Sequence, residues 1–108
     1  MIAALNPIPP ILEFSNPVFQ PGRNTTVRRG RKWHSVPAAR LRLADGSLSP
    51  PVSLQTHIKR FDHLCAADIA FEHDPPCRTV AGLLAELRRC YPGFAEHEEV
   101  TLCHFLLP

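Results

Sequence analysis

The chain has 108 residues, of which 44% are hydrophobic and 20% are charged. These proportions are ordinary for a folded domain and exclude wholesale disorder, while the length provides one core and leaves no room for a second. The formal net charge of +2 conceals an asymmetry, because residues 1–60 hold nine Lys/Arg against two acids and residues 61–108 hold three against eight. Either the first half faces a polyanion, or the two halves neutralise each other on folding.

The sequence also argues against membrane, secreted and metal-binding classes. No stretch approaches the roughly twenty apolar residues that span a bilayer, and residues 1–7 lack the basic start of a signal peptide. The four cysteines form no Cys-x-x-Cys pair, and the histidines follow no paired ligand spacing. We therefore expect a cytoplasmic protein with free thiols, no metal and no cofactor.

Residues 1–10 are rich in proline and predict a semi-rigid arm, so the domain itself is expected to span residues 11–108. Residues 11–14 predict a first strand. Ser15, Asn16 and Pro17 then provide an N-cap and a proline at the first helical position, which predicts one or two helical turns.

Residues 22–33, called the basic strip below, contain five cations, two threonines, an amide and the only tryptophan. This mixture suits an anionic, base-bearing ligand better than it suits a core. The β-branched residues Thr25, Thr26 and Val27 favour an extended backbone. Alternation along that strand places Thr26 and Arg28 on one face, so a hydroxyl and a guanidinium are expected to point the same way.

The remaining elements follow from periodicity. Residues 40–43 and 52–58 alternate as strands do, and Asp45-Gly46 predicts a hairpin turn. Asp62 predicts the start of one helix that must end before Pro75, and Thr79 the start of a second with an apolar stripe from Val80 to Leu87. Residues 100–107 are apolar on both faces, as in a final strand covered on both sides. These strands and helices together predict an α+β fold.

The basic strip resembles a known family signature. Gly22, a basic residue and then Thr-Thr-Val-Arg are similar to the Gly-x-Lys-Thr-x-Thr-x-Arg signature of ASCH domains, which belong to the PUA-like superfamily and are linked to RNA. Residues 61–64, 87–92 and 100–105 follow in the order that this family shows. The resemblance implies a small PUA-like β-barrel with two or three flanking helices, and RNA or a nucleoside as the partner.

The same resemblance implies a catalytic set. Some small bacterial ASCH proteins are amidohydrolases that remove the acetyl group of N4-acetylcytidine, with a lysine, a threonine and a glutamate. Thr26 matches the threonine and Glu72 the glutamate, whereas Arg23 or Asn24 occupies the lysine position. Neither can take a proton from a hydroxyl, so Arg23 keeps only a static role on an oxyanion or phosphate. His57 and His73 are alternative bases.

For binding, the expected contacts come from the strip and from one later aromatic residue. The cations neutralise phosphates, the polar side chains donate hydrogen bonds, and an aromatic ring stacks a base. The candidates are Arg23, Asn24, Thr25, Thr26, Arg28, Arg29, Arg31, Lys32, Trp33 and Tyr91. The structural alternatives are a solvated face for the arginines, a barrel plug for Trp33 and a plain salt bridge for Glu72.

We therefore expect a domain that binds RNA or a modified nucleoside in a basic cleft between the strip and the segment near Glu72. The first alternative is an amidohydrolase acting on an acylated nucleoside. The second is a protein-interaction module whose basic face meets an acidic partner.

Overall fold

The structure is a computed structural model that describes residues 8–108, so residues 1–7 of the arm predicted over residues 1–10 lie outside the described residues. The described chain is α+β, as predicted. Its elements are β1 (Ile11–Leu12), β2 (Gly22–Arg29), β3 (Ala38–Leu41), β4 (Val52–Ser53), β5 (Gln55–Arg60), α1 (Val80–Cys90) and β6 (Glu99–Leu107).

The strands form two three-stranded sheets. The main sheet has the order β2-β6-β5 and is antiparallel, whereas the second has the order β1-β3-β4. Within residues 8–108 no strand pairing joins the two sheets, so the closed barrel implied by the resemblance is not formed. The run predicted as one strand over 52–58 is divided at Leu54, whose N–H donates to the carbonyl of Pro37 next to the second sheet. β4 stays in the second sheet and β5 joins the main one.

Strand β6 is the centre of the molecule, because cores lie on both of its faces. Residues 100–105 are all buried, which confirms the prediction of a final strand covered on both sides. Leu102 packs in a core with α1, including Leu83 and Leu87. Cys103 and Phe105 pack in a second core against the second sheet, β1-β3-β4.

Helix α1 begins as predicted. The Oγ1 atom of Thr79 accepts a hydrogen bond from the N–H of Gly82 at 3.1 Å, which is the expected N-cap contact. Gly82 is required by a close approach, since a Cβ at this position would collide with the carbonyl oxygen of Pro76. The helix is thereby held against the short 3-10 segment that precedes it.

The other predicted helices are not formed. The segment after Asp62 consists of 3-10 turns at Phe61–His63 and Ala66–Ile69, because the Asp68 carboxylate binds the N–H of Cys65 and the ammonium of Lys59, each at 2.9 Å, and holds the chain in a tight turn. Asn16 donates its side-chain amide to Asp74 at 2.9 Å and does not cap a helix. The described chain therefore has one α-helix where two or three were expected.

No helix among residues 8–108 has the length and the apolar character that a membrane crossing requires.

Candidate functional site

Strand β2 brings Glu72 to the basic strip through main-chain hydrogen bonds. One edge of β2 pairs with β6, and the other edge meets the segment around Glu72 at Thr25. The N–H of Thr25 donates to the carbonyl of Phe71 at 2.8 Å, and the N–H of His73 donates to the carbonyl of Thr25 at 2.9 Å. The backbone therefore fixes the acid beside the strip.

A cavity of about 130 Å³ lies at this junction, and we call it the site cavity. Thr26, Arg28 and Glu72 all line it, so the three groups that the sequence analysis placed around one hollow do share one. Tyr91 also lines the cavity and is 37% exposed, which leaves an aromatic ring at its edge.

Arg28 is the cation of the site cavity. Its Nε donates to Oγ1 of Thr26 at 3.2 Å, and its guanidinium carbon lies 4.8 Å from the ring centroid of Phe14. Burial lowers the pKa of Arg28 from its ordinary value, but a guanidinium keeps its proton in proteins. Among the described residues Arg28 forms no ion pair, and the side-chain hydrogen bond that it donates goes to Thr26.

Glu72 is the acid of the site cavity. It is only 3% exposed, and Oε1 accepts a hydrogen bond from the N–H of Asp74 at 2.9 Å. Burial raises the pKa of Glu72 to about 8, with the nearby Asp74 charge adding to the effect, while the Asp74 N–H and Arg28 oppose it. At pH 7 the side chain is therefore mostly a neutral carboxylic acid.

His73 lies next to this acid. Its Nε2 is 3.4 Å from Oε1 of Glu72, and its Nδ1 is 3.0 Å from the carbonyl oxygen of Val18. Burial lowers the pKa of His73, so the ring is neutral at pH 7. In the neutral ring Nδ1 must carry the proton to donate to Val18, and Nε2 is left as an acceptor. His73, expected as an alternative base, therefore lines the site cavity beside Glu72.

The site cavity is not the basic cleft that was expected. Carboxyl groups outnumber guanidinium groups along its wall, since Glu13, Asp74 and Glu86 line it together with Glu72. Glu13 pairs with Arg42, and Glu86 pairs with Arg89. Asp74 accepts a hydrogen bond from the side-chain amide of Asn16. The surroundings of Arg28 therefore do not favour a phosphate chain.

Two polar residues of the basic strip have structural partners. Asn24 is buried and donates to the carbonyl of Gln20 at 2.7 Å. Thr25 is buried too, with Oγ1 at 2.8 Å from Nδ1 of His104. Neither lines the site cavity, so they do not reach a ligand there.

Trp33 corrects the expectation of a stacking surface. It is only 8% exposed and packs in the core on the second face of β6, together with Leu41, Leu54 and Phe105. The largest apolar side chain gains more from this burial than from exposure beside a cleft. Trp33 is therefore a core residue, although the described residues form no closed barrel for it to plug, as the alternative had held.

The remaining cations of the strip are spread over the surface. Arg29 pairs with Glu98 at 2.7 Å and Arg31 with Glu99 at 2.9 Å, so part of the basic first half neutralises the acidic second half. Lys32 is exposed and does not line the site cavity.

Arg23 lies at a different groove, with its guanidinium carbon 5.2 Å from the Phe71 ring centroid. The expectation that Arg23 joins Thr26 and Glu72 is therefore wrong.

Some residues of the site cavity were not anticipated. Phe14, Cys77, Glu86 and Cys90 line it, and burial raises the pKa of the Cys77 thiol to about 12, which leaves that thiol inert. The only sequence signal for Glu86 is its place on α1, three residues after Leu83 and next to Leu87. Phe14 was expected at the end of the first strand, but β1 ends at Leu12 and Phe14 lies in the loop that follows.

Comparisons of this chain with protein families, with curated proteins and with solved structures find no match. Among residues 8–108 there is also no group of three His, Cys, Asp or Glu side chains that could hold a metal ion. A function must therefore be argued from the chemistry of the site cavity.

Proposed function

We propose that the site cavity binds the base of a modified nucleoside, or of an unpaired nucleotide in RNA, through the amide edge of its ring. The observation that carries this proposal is the juxtaposition of a buried carboxyl group, a guanidinium and a hydroxyl around one hollow. The resemblance of the basic strip to ASCH domains, which are PUA-like, supports the same ligand class. A cytoplasmic location, where such ligands occur, belongs to the proposal.

Hydrogen-bonding complementarity supports an amide edge. In a protonated carboxyl of Glu72, Oε1 already accepts from the N–H of Asp74 and lies 3.4 Å from Nε2 of His73. The O–H offered to a ligand is therefore the one on Oε2, while Oε1 keeps a second lone pair as an acceptor. The edge of a pyrimidine that carries an amino or acylamino group next to a ring nitrogen offers the complementary acceptor and donor. Arg28 then donates to the neighbouring ring carbonyl, and Thr26 holds the guanidinium in place.

The size and the charge of the site cavity support a base and oppose a phosphate. Pockets for drug-sized ligands enclose roughly 300–1,000 Å³, whereas this one encloses about 130 Å³ and fits one ring or an acyl group. The sugar stays outside, near Tyr91, whose exposed ring can stack on it or on a neighbouring base. Because carboxyl groups surround Arg28, we expect the affinity to depend weakly on salt.

The test is calorimetric titration with cytidine and N4-acetylcytidine at pH 7. Arg28→Met removes the guanidinium and is expected to weaken binding about tenfold or more, because a hydrogen bond from a charged donor is lost. The matched control is Arg31→Met, just after β2 and paired with Glu99 outside the site cavity, and it is expected to bind within about twofold of the wild type. Equal losses in both variants would contradict the proposal.

A second candidate function is amide hydrolysis of an acylated nucleoside. The observation that favours it is the pKa of about 8 at Glu72, since a general acid or base works best when its pKa lies near the working pH. With the pKa of Glu72 raised to about 8, the ionised form is the minor one at pH 7 and becomes more abundant as the pH rises. An ionised Glu72 can take a proton from water that attacks the acetyl carbonyl and then pass it to the amine as the C–N bond breaks.

In this reaction Arg28 stabilises the oxyanion, a role that needs charge and no proton transfer. The family lysine has no equivalent in the site cavity, because Arg23 lies elsewhere and Asn24 is bonded to Gln20. Acetate release from N4-acetylcytidine is expected to rise with pH up to about 8 and to disappear in Glu72→Gln. Binding without acetate release at any pH would leave the recognition function and discard the hydrolase.

A further inference from the structure

We infer that a second groove, at the end of the main sheet, binds an extended peptide that carries a carboxylate side chain, by adding it as a strand beside β6. This end groove encloses about 690 Å³ between residues 49–53 and the last residues of β6. It is separate from the site cavity, so the inference does not depend on the function proposed above.

Strand β6 loses one neighbour at its C-terminal end. β5 begins at Gln55, which pairs with His104. The chain before it belongs to the other sheet, where Ser53 pairs with Ala38. Beyond His104, β6 therefore keeps β2 on one side, and within residues 8–108 no strand pairs with it on the other side. The end groove lies in that gap.

The ladder pattern fixes which backbone groups face the gap. In an antiparallel pair, directly opposed residues exchange hydrogen bonds at every second position. The N–H of Phe61 donates to the carbonyl of Glu98 at 2.9 Å, and the register then makes Gln55 and His104 a bonded pair. The next bonding position on β6 is Leu106.

The β2 side leads to the same assignment. The N–H of Gly30 donates to the carbonyl of Glu99 at 2.9 Å, so β6 uses residues 99, 101, 103, 105 and 107 toward β2. The N–H and C=O of Leu106 consequently point the other way, into the end groove. Leu106 is 72% exposed. A free donor and acceptor at a sheet edge are a template for another strand.

The walls of the end groove select the side chains of that strand. Pro50, Pro51, Val52, Phe105 and Leu107 make it largely apolar. Arg23 is the only permanently charged side chain among the described residues that line it, and it has no carboxylate partner there. An apolar groove with one cation on its rim is complementary to an apolar segment with one carboxylate.

The register also places the carboxylate within that strand. Arg23 is directly opposite Leu106 on the β2–β6 ladder, so both side chains lie on one face of the sheet. Because β6 lies between β2 and the added strand, only a long carboxylate side chain on that strand reaches across Leu106 toward Arg23. A residue paired with Leu106 on the added strand projects to the same face, and its neighbours project to the face of Phe105 and Leu107. The preferred sequence is therefore apolar, Glu, apolar, which is strand addition with alternating side-chain pockets.

The experiment uses the 108-residue chain and a fluorescein-labelled peptide containing Val-Glu-Val, with anisotropy as the readout. Saturable binding is expected. Replacing the peptide Glu with Lys is expected to weaken it about tenfold, and methylating the peptide nitrogen of that Glu by a similar factor, because each change removes one charge-assisted or backbone contact. Equal binding of all three peptides, or no saturable binding of the first, would overturn the inference.

Variants of the protein sharpen the test. Leu106→Pro deletes the free N–H without touching the β2 ladder and is expected to weaken binding about tenfold, whereas Leu106→Ala keeps the N–H and serves as the control. Arg23→Glu is expected to reverse the preference between the Glu and Lys peptides, and it remains decisive if Leu106→Pro does not fold. Equal affinities of the proline and alanine variants, or an unchanged preference in Arg23→Glu, would refute strand addition at this edge.

Discussion

The Nε2 atom of His73 lies 3.4 Å from Oε1 of Glu72, and burial removes the charge from both side chains at neutral pH. The distance is that of an ion pair, but the pKa of Glu72 is raised to about 8 while the pKa of His73 is lowered. The carboxyl group keeps its proton and the imidazole lacks one. The site cavity therefore contains a neutral acid beside a neutral base.

The first prediction concerns the stability of Glu72→Gln. The folded state holds a proton on Glu72 up to a pKa of about 8, whereas the unfolded chain releases it near 4.5. The contribution of this group to the free energy of unfolding is therefore greatest below about pH 4.5. It falls as the pH rises from 4.5 to 8, because only the folded state still holds the proton, and the total decrease is ~5 kcal/mol at most. Glutamine does not ionise, so the variant is expected to be more stable than the wild type at pH 8.

Urea unfolding at pH 5 and pH 8 checks this prediction. The difference between variant and wild type is expected to grow by several kcal/mol between the two values. Asn16→Ala, which removes a contact of the neighbouring Asp74 and leaves the Glu72 carboxyl in place, provides a control that should show no comparable change. A constant difference for Glu72→Gln would mean that the carboxyl is ionised in the folded protein.

The second prediction concerns acid unfolding and His104. Burial, with help from the nearby charge of Arg23, lowers the pKa of His104 to about 4 from an ordinary 6.5. As the pH falls, the imidazole becomes protonated in the unfolded chain near pH 6.5 but in the folded state only near pH 4. The free energy of unfolding therefore keeps its full value above pH 6.5 and decreases by about 3 kcal/mol as the pH falls from 6.5 through 4.

His104→Asn keeps a partner for Thr25 and is expected to lose less stability between pH 6.5 and 4 than the wild type. Chemical unfolding at several pH values in that window measures the slope. The exposed residue His97 supplies the control, since His97→Asn should follow the wild-type curve. Parallel curves for all three proteins would show that His104 is protonated in the folded state.

The third prediction separates packing from recognition at Trp33. Trp33→Ala removes a buried ring from the second core and is expected to cost about 3–5 kcal/mol of unfolding free energy. Trp33→Phe should cost less, because much of the apolar volume remains. Nucleoside titration of Trp33→Phe at a temperature where it is folded is expected to match the wild type. Wild-type stability with lost binding would place the indole in a ligand site.

The fourth prediction concerns Gly82. In an ordinary helix, changing glycine to alanine stabilises by about 1 kcal/mol. Here the added methyl group meets the carbonyl oxygen of Pro76, so Gly82→Ala is expected to lower the unfolding free energy by about 1–3 kcal/mol. Ala85→Gly, at an exposed position of the same helix, is the reference for propensity alone. A stabilised Gly82→Ala would show that the turn before α1 adapts freely.

The sequence predicts those parts of the fold that depend on local period. The Thr79 cap with its apolar stripe, the Asp45-Gly46 turn and the doubly covered β6 are confirmed. The division of residues 52–58 into β4 and β5 was missed because the alternation of side chains continues through Leu54. The N–H of Leu54 bonds to the carbonyl of Pro37, which is distant along the chain and which a local pattern does not reveal. The helix after Asp62 was wrong because an Asp68–Lys59 contact outweighs a near-helical spacing.

The site was predicted in part for a similar reason. Alternation along β2 placed Thr26 beside Arg28, and the order of motifs pointed to Glu72 as the acid. Arg23 is three residues before Thr26, so the same alternation puts it on the opposite face of the strand, and the structure places it at a different groove. It was assigned to the site because the resemblance matched it to the lysine position. The mixed charge of the cavity wall depends on residues contributed by α1 and by the loop after β1.

The bridge between Thr25 and Glu72 has a consequence for how this protein can diversify. Because peptide groups secure the acid to the sheet, its location does not depend on the identity of any side chain around it. Exchange of neighbours such as Glu86 and Cys90 therefore alters the shape and charge of the site cavity while the buried acid keeps its place on the sheet.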